Sequence, residues 1–145
     1  MASTEPPRIL VVARGHIGDL VLATPALRDI RNHYPSGHIG VLANEYAAGV
    51  LDGCDYTDEV FAAFAYESKG RIARWWNTAR LLRRLRGRFD IVVSLWYAPA
   101  TMPLIGWLIG ARQRVGFEYP GRWSRFLTAS AGFQPWDLPV RIANT

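Results

Sequence analysis

Between a short apolar run and a helical pattern stands a glycine turn that ends in a carboxylate, Gly15-His16-Ile17-Gly18-Asp19. Glycines in such a turn let a ligand approach the backbone, and the free N–H groups of a helix start favour an anion. Asp19 can close the turn as a helix cap. It can also take the proton from a sugar hydroxyl as that hydroxyl attacks, which is general-base work and requires direct hydrogen-bond reach. His16, three positions earlier, can position a hydroxyl or phosphate, or simply be solvated. The spacing is not the dinucleotide fingerprint, which needs a third glycine and an acidic residue about 20 positions on.

Two further groups carry side chains suited to a ligand. Lys69, Arg71 and Arg74 cluster at the start of a basic helical stretch, and Arg80, Arg84 and Arg88 continue it at i, i+4, i+8, the spacing of one outward stripe. Its alternatives are a solvated face or a seat for an anionic partner. Trp96 and Tyr97 follow an apolar strand and can stack on a sugar ring, while Asn44 and Glu45 follow another. His, Cys, Asp and Glu nowhere fall at metal-ligand spacing, and no G-x-S-x-G or phosphate-binding P-loop occurs.

The elements that must hold these residues alternate. Arg8–Arg14 is a β-branched apolar run, and Asp19–Tyr34 sets Leu20, Ala23, Leu27, Ile30 and Tyr34 at helical spacing. Pro25 either opens the regular helix with Thr24 as its N-cap or kinks it after a first turn. Strands are expected at His38–Ala43, Asp58–Phe64, Asp90–Leu95 and Gln113–Phe117. Helices are expected at Glu45–Leu51, Gly70–Arg86 and Met102–Ile109, with Ile72, Trp75, Trp76, Ala79, Leu82 and Leu85 as the core face of the long one. Five such units predict an α/β fold, a doubly wound, Rossmann-like parallel sheet of about five strands. Residues 1–7 read as a disordered tail, 8–133 as the domain and 134–145 as the start of a linker.

At 145 residues, half of them apolar and 20% charged, the chain fits one globular domain and excludes a disordered or disulfide-built protein. A chain of this size buries roughly 68–70% of its unfolded surface, so a core forms without staples. Cys54 is the single cysteine, and no signal-peptide run follows Met1, so a cytoplasmic setting is expected. The net charge is +5, yet Ser68–Phe89 holds seven arginines and Lys69 with no Asp or Glu, so the rest of the chain is net acidic. Ile91–Ala111 runs 21 residues without a charge, long enough for a membrane span, but Pro99 and Pro103 fall at its middle and strand, loop and helix account for it better.

Ile9-Leu10-Val11-Val12 followed by Gly18-Asp19-Leu20-Val21-Leu22-Ala23-Thr24-Pro25-Ala26-Leu27-Arg28 resembles the opening strand and helix of the family 9 glycosyltransferases, the heptosyltransferase family of lipopolysaccharide core synthesis. Asp58-Glu59-Val60, Phe89-Asp90-Ile91-Val92-Val93 and Gly110-Ala111-Arg112-Gln113-Arg114-Val115-Gly116-Phe117 look like later family segments in the same order. The resemblance implies the amino-terminal half of a GT-B enzyme, inverting and metal-independent, moving a heptose-like sugar from a nucleotide-sugar donor such as ADP-heptose to a saccharide or glycolipid acceptor. It implies Asp19 as the base and Lys69, Arg71 and Arg74 as the grip on a charged acceptor; Gly15, His16, Gly18, Trp96 and Tyr97, read from their residue types above, complete the expected acceptor contacts. The donor would sit mainly on a carboxyl-terminal domain that this chain lacks, so the chain alone is expected to be inactive and to hold no cofactor; the arginine stripe, apart from the resemblance, adds peripheral contact with an anionic membrane as a further expectation. Ala13 stands where the family often has arginine, and Gly15-His16 where small hydroxyl residues are common. The rival reading is a non-catalytic α/β binding module whose arginine-rich helix holds anionic membrane or nucleic acid; no nucleic-acid motif supports sequence readout.

Overall fold

The computed structural model describes residues 5–63, 70–96, 101–117 and 125–131. In chain order these form β1 (Arg8–Ala13), α1 (Ile17–His33), β2 (His38–Asn44), a 3₁₀ turn (Ala48–Leu51), β3 (Glu59–Ala63), α2 (Arg71–Leu85), β4 (Ile91–Ser94), α3 (Thr101–Leu108), β5 (Gln113–Phe117) and β6 (Ala129–Ala131). All strands are parallel, in the order β3-β2-β1-β4-β5-β6. That is the doubly wound order of dinucleotide-binding domains, reached here without their glycine fingerprint.

Side chains alternate across β1, the most covered strand. Ile9, Val11 and Ala13 meet Leu20 and Leu27 of α1 on one face. Leu10 and Val12 meet Leu85 of α2 and Ile105 of α3 on the other. The register Val11↔Val41 and Val11↔Val93 aligns β-branched residues in a row, as a sheet buried on both faces requires. At Gly40 a side chain would come within 2.9 Å of the Phe89 ring, so the glycine admits the edge-to-face pair of Phe61 and Phe89, centroids 6.0 Å apart.

Several expectations are corrected. A sixth strand, Ala129–Ala131, extends the sheet; three small residues carry no apolar alternation to announce it. The helix expected over Glu45–Leu51 is only the 3₁₀ turn. α1 starts at Ile17, eight residues before Pro25, so Thr24 is not its N-cap; the Thr24 hydroxyl instead donates to the Leu20 carbonyl at 3.4 Å. Pro25 has no N–H for the Val21 carbonyl, and Val21 is exposed, so water can take that bond. Residues 1–4 of the expected tail and the linker at 134–145 lie outside the described residues. Among the described residues no helix is long and apolar enough to cross a membrane, and no group of His, Cys, Asp or Glu could hold a metal.

Carboxylates staple the amino ends of the strands. Asp90 accepts from the Arg8 N–H at 3.1 Å, and Glu59 pairs with Arg88 at 3.0 Å. Asp58 accepts from the Ile39 N–H at 2.7 Å and from the Arg31 guanidinium at 2.6 Å. Burial pushes the Asp58 carboxyl up, but these two donors and the positive charges of Arg31 and His38 outweigh it and hold the group below its usual value of 3.8. A carboxyl depressed in the folded state stabilises at pH above its unfolded value, and that contribution fades as pH falls through the lower folded value. Asp58→Ala is therefore expected to cost about 1–2 kcal/mol at neutral pH, with the difference from the parent chain shrinking in acid. Urea unfolding at neutral pH and near pH 3 measures both.

Candidate functional site

In a parallel sheet every strand delivers its carboxyl end to the same edge, where loops can gather a ligand. Here the pairing of Ala13 with Ala43 sets the end of β1 beside the end of β2. The turn after β1 thus meets the residues after β2. The Asn44 side-chain amide donates to the Gly15 carbonyl at 2.8 Å, which pins the turn to β2. The next residue, Glu45, donates its N–H to the Ala63 carbonyl at the end of β3, so three strand ends are tied together.

Within the turn His16 is the residue before helix α1, and its N–H donates to Asp19 Oδ2 at 2.7 Å. The Leu20 N–H then closes the first helical bond on the His16 carbonyl at 3.1 Å. The N-cap expected at Asp19 is therefore corrected: His16 is the N-cap, and Asp19 caps from inside the first turn, as the N3 carboxylate of a capping box. Half-buried, it has a second oxygen that accepts no bond among the described residues, so capping leaves an acceptor for a hydroxyl. The two glycines differ in kind. At Gly15 a Cβ would lie 2.3 Å from the Cβ of Asp19, so only glycine lets the carboxylate fold back over the turn. At Gly18 a Cβ would meet nothing within 4 Å, which leaves open space over the first helical turn.

His16 is exposed and bonds Tyr46 through Nδ1 to the phenol oxygen at 2.6 Å, with ring centroids 6.1 Å apart. When the phenol is the donor, the imidazole carries its proton on Nε2, away from Tyr46, as a ready hydrogen-bond donor. Tyr46 escapes a reading by motif; its only sequence signal is its place two residues after the end of β2. Asp19, His16, Tyr46 and Asn44 form one polar cluster at the sheet edge.

The other expected contacts are dispersed. Arg71 is exposed at the first turn of α2, which follows β3 and so starts at the same edge. Lys69 and Tyr97 lie outside the described residues, as does the side chain of Arg74. Trp96 is half-buried against the α2 and α3 core.

Helix α2 departs most from expectation. Leu85 is buried and Leu81 and Leu82 are half-buried, but Ile72, Trp75 and Trp76 are 76%, 76% and 71% exposed. At 100° per residue the leucines and the Ile72, Trp75, Trp76, Ala79 set make two stripes about a third of a turn apart, and only the leucine stripe meets the sheet. Arg88 also leaves the expected stripe, because α2 ends at Leu85 and Gly87, in a left-handed conformation (φ 70°), turns the chain inward. Arg88 instead pairs with Glu59, its guanidinium 5.5 Å from the Phe61 centroid.

No family model matches the chain, and no curated protein matches it in sequence. Among solved structures, a family 9 glycosyl transferase from Veillonella parvula DSM 2008 is similar, with a TM-score of 0.75 and 25% identity over 88% of this chain and 36% of that one. The E. coli ADP-heptose LPS heptosyltransferase II is similar at a TM-score of 0.71 and 19% identity, over 89% of this chain and 36% of that one. The E. coli heptosyltransferase WaaC with ADP follows at 0.66 and 17%, over 88% and 41%. The chain spans well under half the length of these proteins. Sequence resemblance and structural likeness meet on one architecture, and the chain has the fold of a family 9, heptosyltransferase-like domain.

Proposed function

We propose that the chain is the acceptor-binding half of an inverting glycosyltransferase, with Asp19 as the general base. The observation that carries this reading is the polar cluster at the joined ends of β1 and β2. Asp19 keeps one oxygen for a hydroxyl, the His16–Tyr46 pair stands beside it, and open space lies over Gly18. In the step proposed, the acceptor hydroxyl gives its proton to Asp19 while its oxygen forms a bond to the anomeric carbon of the donor sugar. The bond from that carbon to the nucleoside diphosphate breaks on the opposite side, and the configuration inverts. No metal is required of this half: its cations, Arg71 with Lys69 and Arg74, serve a charged acceptor, and the donor belongs to a second domain. In this reading residues 8–133 form the domain and 134–145 lead into the linker, so the chain by itself binds acceptor without turnover, on the cytoplasmic side of the envelope.

The test is binding of a phosphorylated core saccharide to the whole chain, followed by amide NMR. Shifts are expected at Gly15–Asp19 and Asn44–Tyr46, with ADP alone producing far smaller ones there. His16→Ala removes one or two hydrogen bonds and is expected to weaken acceptor binding about five- to tenfold. Shifts produced by nucleotides and not by saccharides would overturn the assignment.

A further inference from the structure

The stripe of α2 that the sheet does not cover is apolar at one end and cationic at the other. Ile72, Trp75, Trp76 and Ala79 line a shallow groove of about 350 Å³. Trp76 and Arg80 are one helical turn apart, as are Ala79 and Arg83, so the groove runs directly into two exposed arginines. Arg71 stands exposed at the other end. Helix α2 carries no acidic residue over its 15 positions. Arg80 repels Arg83 and Arg84 at i, i+3 and i, i+4, a small cost that an anionic surface would offset.

We propose that this face docks on an anionic phospholipid bilayer, with the two indoles and Ile72 seated at the headgroup boundary and Arg80 and Arg83 on lipid phosphates. Exposed tryptophans beside arginines on one face of a helix are the composition of an interfacial element, because the indole is apolar in body and polar at its N–H. The occupant has to be anionic, from the charge, and has to offer hydrocarbon, from the groove. A nucleic acid satisfies the first condition only. Its bases stack on aromatic faces with cations spaced between them along the strand, whereas here the aliphatic Ile72 and Ala79 share the groove with the indoles and Arg80 and Arg83 gather past one end. The cluster at the end of β1 takes no part, so this surface stands or falls apart from the glycosyltransferase reading.

The test is flotation of the whole chain with vesicles of phosphatidylcholine, with and without phosphatidylglycerol. Binding is expected only with phosphatidylglycerol, accompanied by a blue shift of tryptophan emission. The paired change Trp75→Ala and Trp76→Ala is expected to abolish the shift and weaken binding at least about tenfold, and Arg80→Glu with Arg83→Glu to weaken it about thirtyfold. All four residues are on an exposed stripe, so circular dichroism and melting of the variants should match the parent. Equal binding by the tryptophan variant, equal binding to pure phosphatidylcholine, or tighter binding to single-stranded DNA than to the anionic vesicles would each overturn the proposal.

Discussion

Gly15→Ala is expected to destabilise the chain by about 2–4 kcal/mol, the largest loss among the stability variants considered for the site. The new Cβ would lie 2.3 Å from the Cβ of Asp19 and within 2.8 Å of its carboxyl carbon. None of these atoms is the free end of a flexible chain, because the Asp19 Cβ is fixed by the first turn of α1. Either the helix start or the end of β1 must move, and overpacking of this kind costs about 1–3 kcal/mol. Moving the helix start also breaks the bond from the His16 N–H to Asp19, which adds a cap loss of about 0.5–2 kcal/mol. Gly18→Ala, three residues away in open space, removes a glycine from a helix and is expected to leave stability unchanged or slightly raised. Urea denaturation of the two variants side by side decides it. Equal stabilities would mean that the tight turn is not what selects glycine at position 15.

The same two glycines show what the sequence discloses and what it withholds. Their presence after an apolar run marks the turn, but only coordinates separate the sterically required one from the one that opens space. Strands β1, β2 and β4 were legible as nearly unbroken apolar runs, the mark of strands covered on both faces, whereas the less covered β3 and β5 were legible from their place in the alternation of units. β6 was not, because Ala129, Ser130 and Ala131 gain their place from pairing with Val115, Gly116 and Phe117 and not from their own character. Helix α2 misleads for a related reason. Its apolar residues fit one broad face on a helical wheel, yet periodicity reports which residues share a face and not which part of that face finds the sheet. Tyr46 belongs to neither case: its bond to His16 joins residues 30 apart in sequence, and nothing local to either foretells it.

Asp19 carries the proposed chemistry, and its double engagement makes the two ends of its carboxyl separable. Asp19→Asn keeps an oxygen able to accept the His16 N–H, so the cap and the helix start should persist and the melting temperature should change little. What the amide cannot do is take a proton from an attacking hydroxyl. When the chain is combined with a donor-binding half, turnover is expected to fall about 10²–10⁴-fold, the usual worth of a positioned general base. Acceptor affinity should fall far less, because His16, Tyr46 and Arg71 are untouched. Asp19→Ala removes the cap as well and is expected to lose about 0.5–2 kcal/mol of stability in addition. The two variants therefore divide structure from chemistry at one position: a base that is also a cap gives Asn the rate loss alone and Ala both losses. If Asn retains full turnover while Ala loses stability, Asp19 is a cap only, and the proton must go to another group at the ends of β1 and β2, with His16 the first to be replaced.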